Sequence, residues 1–498
     1  MAVSELPAAQ RNSSQPAATS SVPANVRIAS DRRLAAVVTG LLIGLGSAVL
    51  AFLIVIGGPI LAIGAMIGLA AGLYVLTDLK WGLYATIAAV ALMPFATLPV
   101  RIAVTPTFID LALGAFLLVY VLQMMRRLRP GFVSVPAAAL ILLFVAFTLF
   151  SFVAGLGHAQ LTTNVLRKFV ELLLSILTTL VLIDVVRTPD MLRRLTLVII
   201  LAGVAQACLG IGLYALPDEL AERLLNALGR FGYPVGGVIR YIMDDPTQGE
   251  RAIGTWVDPN AYGGFLMMIG ALAGAQVLAI KPVLGKRWLA LGSFGIIALA
   301  LLLTQSRGAF LALGMGGVFI ALLRYRWLLV IGALGLGLLL LTPFGQNYAS
   351  RLVDGFQGED LATQMRFGEY KDAFILIGRY PLIGVGFAGA PDRDIYLGVS
   401  NMYLKIAGAT GMIGLSLFLA TIVETFRYGL KRWQLIKGQP DIVNIWLGFM
   451  AGLVGALVSG VVDHYYFNIE FHGAVTMFWL FVALALASAR IATVRNDP

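Results

Sequence analysis

The chain has 498 residues, of which 59% are hydrophobic and only 12% are charged. A soluble globular protein carries about 25% charged residues, so this composition excludes an ordinary soluble enzyme. The net charge of +10 does not indicate nucleic-acid binding, because the basic residues are spread among the loops instead of forming one basic domain.

The two ends of the chain are polar. Residues 1–33 are rich in Ala, Ser, Pro and Gln and contain no long apolar segment, so we expect a disordered cytoplasmic tail. A cleavable signal peptide is not expected, because the first apolar run is too long and lacks a small-residue cleavage site. Residues 490–498 are predicted to form a second cytoplasmic tail.

Long apolar segments recur from residue 34 to residue 489. A helix of about 20 apolar residues crosses a bilayer, and no backbone group can stay unpaired in lipid. The predicted fold class is therefore an all-α integral membrane protein with about 14 transmembrane helices. Counts of about 12 or 13 stay open, because Gly57, Gly58 and Pro59 mark a very tight turn. The predicted spans are 34–57, 58–77, 81–99, 108–124, 134–155, 169–187, 195–216, 259–280, 287–304, 308–323, 327–343, 401–423, 443–462 and 472–489.

The basic residues of the short loops predict the orientation. Arg126, Arg127 and Arg129 share one loop, and Arg427, Lys431, Arg432 and Lys437 share another. Because cytoplasmic loops carry an excess of Lys and Arg, both termini are predicted to be cytoplasmic. Two long outer loops then remain, at residues 217–258 and 344–400. Each contains an amphipathic helical pattern, one beginning at Pro217 and one covering Leu361 to Gly378, which we expect to lie on the outer leaflet.

Polar side chains gather at the outer ends of the predicted spans, whereas the middles of the spans contain almost no charge. That distribution disfavours an ion-driven transporter, which places ionisable residues near the bilayer midplane. Arginine binds phosphate oxygens through a planar fork of donors, so outer arginines suit a lipid-linked pyrophosphate. A single outer arginine can equally contact lipid headgroups. The candidate substrate-binding residues are Arg251, Arg307, Arg366, Asn260, Ser400, Asn401 and Tyr403.

A candidate general base lies near the last predicted span. His464 follows Asp463, and a carboxylate can orient an imidazole and raise its basicity. Adjacent helical residues do not face each other, so an ordinary boundary histidine is an equal alternative. The chain has one cysteine, Cys208, and no HExxH, GxSxG or Gly-rich phosphate loop. We therefore predict no metal and no cofactor.

Four outer segments resemble the O-antigen ligase and Wzy-type O-antigen polymerase family of bacterial surface-polysaccharide glycosyltransferases. They are RAIGTWVDPNAYGGFL, LLLTQSRGAFLALGMG, MRFGEYKDAFILIGRYPLIGVGFAG and SNMYLKIAGATGMIGLSLFLA, and together they lie within residues 250–425. The order of the segments and their shared outer location carry the resemblance. Arg251, Arg307 and Arg366 match the family's arginine-bearing positions. The family's histidine position holds Ser400, so His464 or Glu369 would have to replace that base.

The resemblance implies a metal-independent transfer of a sugar from undecaprenyl pyrophosphate to a glycan hydroxyl, at the periplasmic face of the bacterial inner membrane. A polymerase that joins lipid-linked repeat units of an O-antigen, capsule or exopolysaccharide is the first hypothesis. Ligation to a lipid A core and transport of a lipid-linked sugar are the alternatives. The implied partners are a lipid-linked oligosaccharide donor, a glycan acceptor and membrane lipids, with a chain-length regulator or other envelope proteins as further candidates.

Overall fold

A computed structural model describes residues 70–99, 105–242, 245–343, 361–389 and 398–494, with a few single positions outside these ranges. The chain divides into two units, residues 1–74 and residues 75–498, and the second contains every candidate site residue. The predicted tail 1–33 and most of the predicted spans 34–57 and 58–77 lie outside the described residues.

The described part of the second unit is mostly helical, as the sequence predicted. In chain order the helices are α1 (Leu79–Leu92), α2 (Phe108–Met125), α3 (Ala137–Gly155), α4 (Thr163–Val185), α5 (Pro189–Ala215), α6 (Asp218–Ala227), α7 (Pro259–Val277), α8 (Arg287–Leu303), α9 (Arg307–Leu323), α10 (Trp327–Leu340), α11 (Leu361–Arg379), α12 (Met402–Lys431), α13 (Trp433–Lys437), α14 (Val443–Ser459) and α15 (His472–Val494). Two short strands, β1 (Arg240–Tyr241) and β2 (Glu250–Arg251), lie between α6 and α7.

Each predicted span from 81–99 onwards overlaps one of these helices, although α1 ends at Leu92 and α12 continues to Lys431. Within the described residues, α2, α3, α5, α12 and α15 are long and apolar enough to cross a membrane. The total of about 14 spans and the orientation stay predictions. At the C-terminal end α15 continues to Val494, beyond the predicted end at 489. It continues because Ile491 and Ala492 are buried, and Arg490 donates a 2.7 Å hydrogen bond to the carbonyl of Val186.

The centre of the helical assembly is formed by α7, α14 and α15. Almost every residue of these three helices is buried, and Trp446 and Trp479 are among the largest buried side chains. A helix that is apolar on all sides is stable where other helices surround it. The apolar helix α10, in contrast, has no buried residue, as expected of a helix that faces lipid.

Both predicted amphipathic segments form helices. In α6, Leu225 is buried against Val238 and Ile253, which lie on either side of the strand pair. The strands are antiparallel, and Arg240 lies opposite Arg251. The predicted first outer loop therefore folds on itself and fixes the chain that carries Arg251. Its contact with the outer leaflet stays a prediction, as does that of α11.

Helix α12 is interrupted at Gly411, whose backbone is non-helical with φ +66° and ψ −177°. The segment that follows α11 packs into this break. Val385 N donates to Gly408 O at 3.0 Å, Gly386 N donates to Ala409 O at 2.9 Å, and Met412 N donates to Pro381 O at 2.8 Å. Irregular backbone at a membrane helix is tolerated when neighbouring protein satisfies its polar groups. These hydrogen bonds connect the segment after α11 to the middle of α12. Both helices carry candidate site residues.

Candidate functional site

The candidate site lies where the chain before α7, the start of α9, α11, the start of α12 and the α14–α15 loop meet. Its charged centre consists of Arg251, Asp258, Arg366, Asp463 and His464, which we call the transfer cluster. The charges of Arg251, Asp258 and Arg366 act on Asp463, and the charge of Arg366 also acts on His464. The structure thus brings together residues that are far apart in the sequence, as the hypothesis of a pyrophosphate site requires.

Arg251 is held by two hydrogen bonds at the edge of the strand pair. Its Nε donates to the carbonyl of Thr304 at 2.9 Å, and its Nη2 donates to Asn260 Oδ1 at 2.8 Å. The side-chain oxygen of Asn260 thus orients Arg251. Contact of Asn260 with substrate stays a prediction. The interaction with Thr304 connects Arg251 to the turn that begins α9.

Arg307 is the first residue of α9. The preceding Gln305 has φ +53°, so the turn is tight and uses a conformation uncommon outside glycine. Ser306 makes no side-chain capping hydrogen bond, and the N-terminus of a helix attracts anions through its unpaired N–H groups and its dipole. A Cβ atom on Gly308 would lie 2.9 Å from Val462, which places this helix start beside Asp463.

Asp463 is partly buried in the loop between α14 and α15. Burial and the neighbouring charge of Asp258 raise its pKa to about 7, although the backbone N–H of His464 and the charges of Arg366 and Arg251 act in the opposite direction. A general base works best when its pKa is near the working pH. Asp463 is therefore a suitable proton acceptor.

His464 differs from the sequence prediction. The carboxylate of Asp463 accepts a 2.9 Å hydrogen bond from the backbone N–H of His464, not from its ring. The ring Nδ1 lies 3.3 Å from Asn468 Nδ2, and Asn468 Oδ1 accepts from the N–H of Glu470 at 3.0 Å. Since the Asn468 amide donates to Nδ1, the neutral ring carries its proton on Nε2.

The electrostatic surroundings of His464 also oppose a role as general base. Burial and the positive charges of Lys405 and Arg366 lower its pKa to about 4. A ring with such a low pKa and with Nδ1 already accepting a hydrogen bond is a poor proton acceptor at neutral pH. Its Nε2–H is suited to donate a hydrogen bond instead.

Glu369 and Ser400 contact each other, and their contact holds α11 against the start of α12. Glu369 Oε2 accepts a 2.8 Å hydrogen bond from the backbone N–H of Ser400. The hydroxyl of Tyr370 lies 3.2 Å from the carbonyl of Ser400 and 3.0 Å from that of Val461. These contacts connect α11 with the start of α12 and with the loop that carries Asp463.

Asn401 and Tyr403 also have structural partners. Asn401 is the N-cap of α12, accepting from Leu404 N at 2.9 Å, and its amide donates to Val461 O at 2.8 Å. The hydroxyl of Tyr403 donates to Leu457 O at 2.7 Å. Both side chains thus position the first turn of α12, and their contact with sugar or phosphate stays a prediction.

Sequence reasoning did not select Tyr370, Lys405 or Asn468 as site residues. Tyr370 bridges two backbone carbonyls, Lys405 acts electrostatically on His464, and Asn468 holds the His464 ring. The sequence gives no signal for Tyr370, because its two partners are distant along the chain. The helical spacing of four residues between His464 and Asn468 was a usable signal.

Residues 292–419 match the family model for O-antigen ligases. The family resemblance of the sequence motifs is thereby confirmed. The matched segment covers about a quarter of the chain and includes Arg307, Arg366, Glu369 and the start of α12, whereas Arg251 and Asp463 lie outside it. No curated protein matches the chain. The match and the apolar helices together indicate a multi-pass membrane protein.

Proposed function

We propose that the protein is a polysaccharide polymerase-type glycosyltransferase that joins undecaprenyl-pyrophosphate-linked repeat units at the outer face of the bacterial inner membrane. The observation that carries this proposal is the transfer cluster, in which the charges of two arginines act on a carboxylate of raised pKa. The residue before that carboxylate, Val462, lies against Gly308 in the first turn of α9, next to Arg307. The match of residues 292–419 to the O-antigen ligase model supports the same class of reaction.

In the proposed reaction, the oxygen of an acceptor hydroxyl attacks the anomeric carbon of the donor sugar. The bond from that carbon to the pyrophosphate oxygen breaks, and the leaving pyrophosphate takes the electron pair. Asp463 accepts the hydroxyl proton. Arg251, Arg307 and Arg366 stabilise the charge that develops on the pyrophosphate, as fixed cationic donors do in a transition state. Direct displacement inverts the anomeric centre, and the reaction needs neither a metal nor a nucleotide.

The hydrogen-bonded side chains have supporting roles in this mechanism. Asn260 fixes the guanidinium of Arg251. Glu369, Tyr370 and Asn401 hold the α12 start and the Asp463 loop in place through Ser400 and Val461. Rigid positioning of this kind lowers the barrier because the charges need not reorganise during the reaction. His464 donates from Nε2 to an oxygen of the donor or the acceptor.

Ligation of the finished glycan to a lipid A core is the second candidate, and the description of the matching family model favours it. Both reactions use the same donor and the same leaving group, so both are consistent with the arginines and Asp463. They differ only in the acceptor.

The test uses purified protein in nanodiscs with undecaprenyl-pyrophosphate-linked repeat units from the native host, without added nucleotide or metal. A ladder of glycan lengths on a gel is the expected result. If a known polymerase elongates the same donor and this protein does not, the polymerase proposal is wrong. Adding a lipid A core acceptor then tests the ligase: a single transfer product in place of a ladder would support it.

A further inference from the structure

Three side chains of metal-ligand type, one from each of three helices, lie close together outside the transfer cluster. Asp110 lies in the first turn of α2, Glu171 lies in α4, and His472 is the first residue of α15. One donor atom from each lies within 4.8 Å of the others. His472 Nδ1 is 3.7 Å from Asp110 Oδ1 and 3.6 Å from Glu171 Oε2.

The imidazole of His472 lacks the hydrogen bonds that a buried ring normally has. The residue is only 6% exposed, and neither ring nitrogen has a hydrogen-bond partner. Leaving a buried polar group unpaired destabilises the folded protein. Since Nδ1 is directed at two carboxylate oxygens at distances too long for hydrogen bonds, a ligand between the three groups would satisfy it.

One oxygen of each carboxylate, Asp110 Oδ2 and Glu171 Oε1, already has a partner. Asp110 Oδ2 accepts a 2.7 Å hydrogen bond from the backbone N–H of Thr107 and lies 3.6 Å from Arg167 Nη1. The same Arg167 nitrogen pairs with Glu171 Oε1. Different oxygens, Oδ1 and Oε2, face the histidine. Outer-shell contacts of this kind orient metal ligands, and their loss weakens metal binding by about 10–100-fold.

We propose that Asp110, Glu171 and His472 bind a divalent first-row cation such as Mn²⁺ or Zn²⁺. One imidazole and two carboxylates form a ligand set that suits these ions, with water completing the coordination. Ligands about 2.1 Å from Zn²⁺ lie up to about 4 Å apart, so only a small movement of the side chains is needed.

The role of this cation is structural, and the proposal does not depend on the transfer reaction. The ion crosslinks α2, α4 and α15 at the point where α15 begins. The loop with Asp463 and His464 ends at that point, and the rings of His464 and Phe471 are 5.9 Å apart. The sequence predicted no metal site because the three ligands share no short spacing and are adjacent only after folding.

The test is a titration of EDTA-treated, full-length protein in detergent with Mn²⁺ or Zn²⁺, followed by calorimetry and by metal analysis after desalting. We expect one equivalent to bind and to raise the melting temperature. His472→Ala and the nearly isosteric Glu171→Gln should each weaken binding by at least about tenfold. His158→Ala is the matched control, because His158 is exposed.

Tight binding in wild type and His158→Ala, with weak binding in either ligand variant that folds, supports the site. If wild-type protein takes up neither Mn²⁺ nor Zn²⁺ in stoichiometric amount, the proposal is wrong. A proton shared between the two carboxylates would then explain why Asp110 and Glu171 lie so close together. Equal uptake by wild type, His472→Ala and Glu171→Gln also overturns the proposal, because the ion would then bind elsewhere.

Discussion

Asp463 and His464 are neighbours in the sequence, yet their surroundings push their proton affinities in opposite directions. Desolvation and the charge of Asp258 favour the protonated carboxyl, whereas desolvation and the cations Lys405 and Arg366 favour the neutral imidazole. The sequence predicts a base candidate in this pair, and that stays a prediction. It gives no basis for choosing between the two side chains, because the charges that act on them come from Asp258, just before α7, and from α11 and α12.

The first prediction concerns Asp463 as the base. Because only the carboxylate accepts a proton and its pKa is about 7, the transfer rate should rise as the pH increases through about 7 and then level off. Asp463→Asn should lower the rate by about 10²–10⁴-fold. Single-turnover assays between pH 5.5 and 8.5 measure both effects. His464→Gln should keep the pH profile with a smaller loss, so a profile that disappears only in His464→Gln would refute this assignment.

The second prediction concerns the arginines. Arg366→Ala should lower the rate by about 10²–10³-fold, as expected for the loss of one donor to a developing oxyanion. Arg251→Lys keeps the charge but loses the fork that bonds to Thr304 and Asn260, so we expect a smaller loss. The control is Arg223→Ala, an exposed arginine of α6. The measurement is the transfer rate of equal amounts of folded protein. If Arg366→Ala and Arg223→Ala are equally active, Arg366 does not belong to the site.

At the scale of elements, the length of the apolar segments predicted the helices, but neither that length nor the order of the motifs predicted the break in α12. The glycines in GATGMIG look like ordinary small residues of a packed membrane helix. In the structure Gly411 has a positive φ, and a Cβ atom at this position would collide with the backbone of Leu382 and Ile383. The requirement for glycine comes from a segment that approaches only after folding, so periodicity contains no sign of it.

The third prediction follows from this break. A Cβ at position 411 would lie 2.2 Å from the carbonyl oxygen of Leu382, and the backbone conformation itself costs a non-glycine residue about 1–3 kcal/mol. Gly411→Ala should therefore lower both the melting temperature and the yield of folded protein. Gly292→Ala in α8 is the control, because a Cβ there has open space within 4 Å. Similar melting temperatures for the two variants would show that the break does not need glycine.

At the scale of the whole molecule, the site residues come from both sides of the matched segment. Arg307, Arg366 and Glu369 lie within residues 292–419, whereas Arg251 and Asp463 lie before and after it. The buried helices α7 and α14 carry these flanking residues to the same place, because both pack against α9. The candidate site therefore depends on the central helices as well as on the family segment, and the proposed mechanism needs its residues to face the outside of the membrane.

The last prediction tests that orientation. Gln248 lies in the predicted first outer loop and Gln434 in a predicted cytoplasmic loop, and both are exposed. Cys208, the one cysteine, is first replaced by alanine. In intact spheroplasts, a membrane-impermeant maleimide should label Gln248→Cys and leave Gln434→Cys unlabelled, whereas both should react after lysis. This labelling pattern is expected because Lys and Arg are concentrated in the loops that are predicted to be cytoplasmic. The reverse pattern would place the transfer cluster in the cytoplasm, and a periplasmic polymerase would then be excluded.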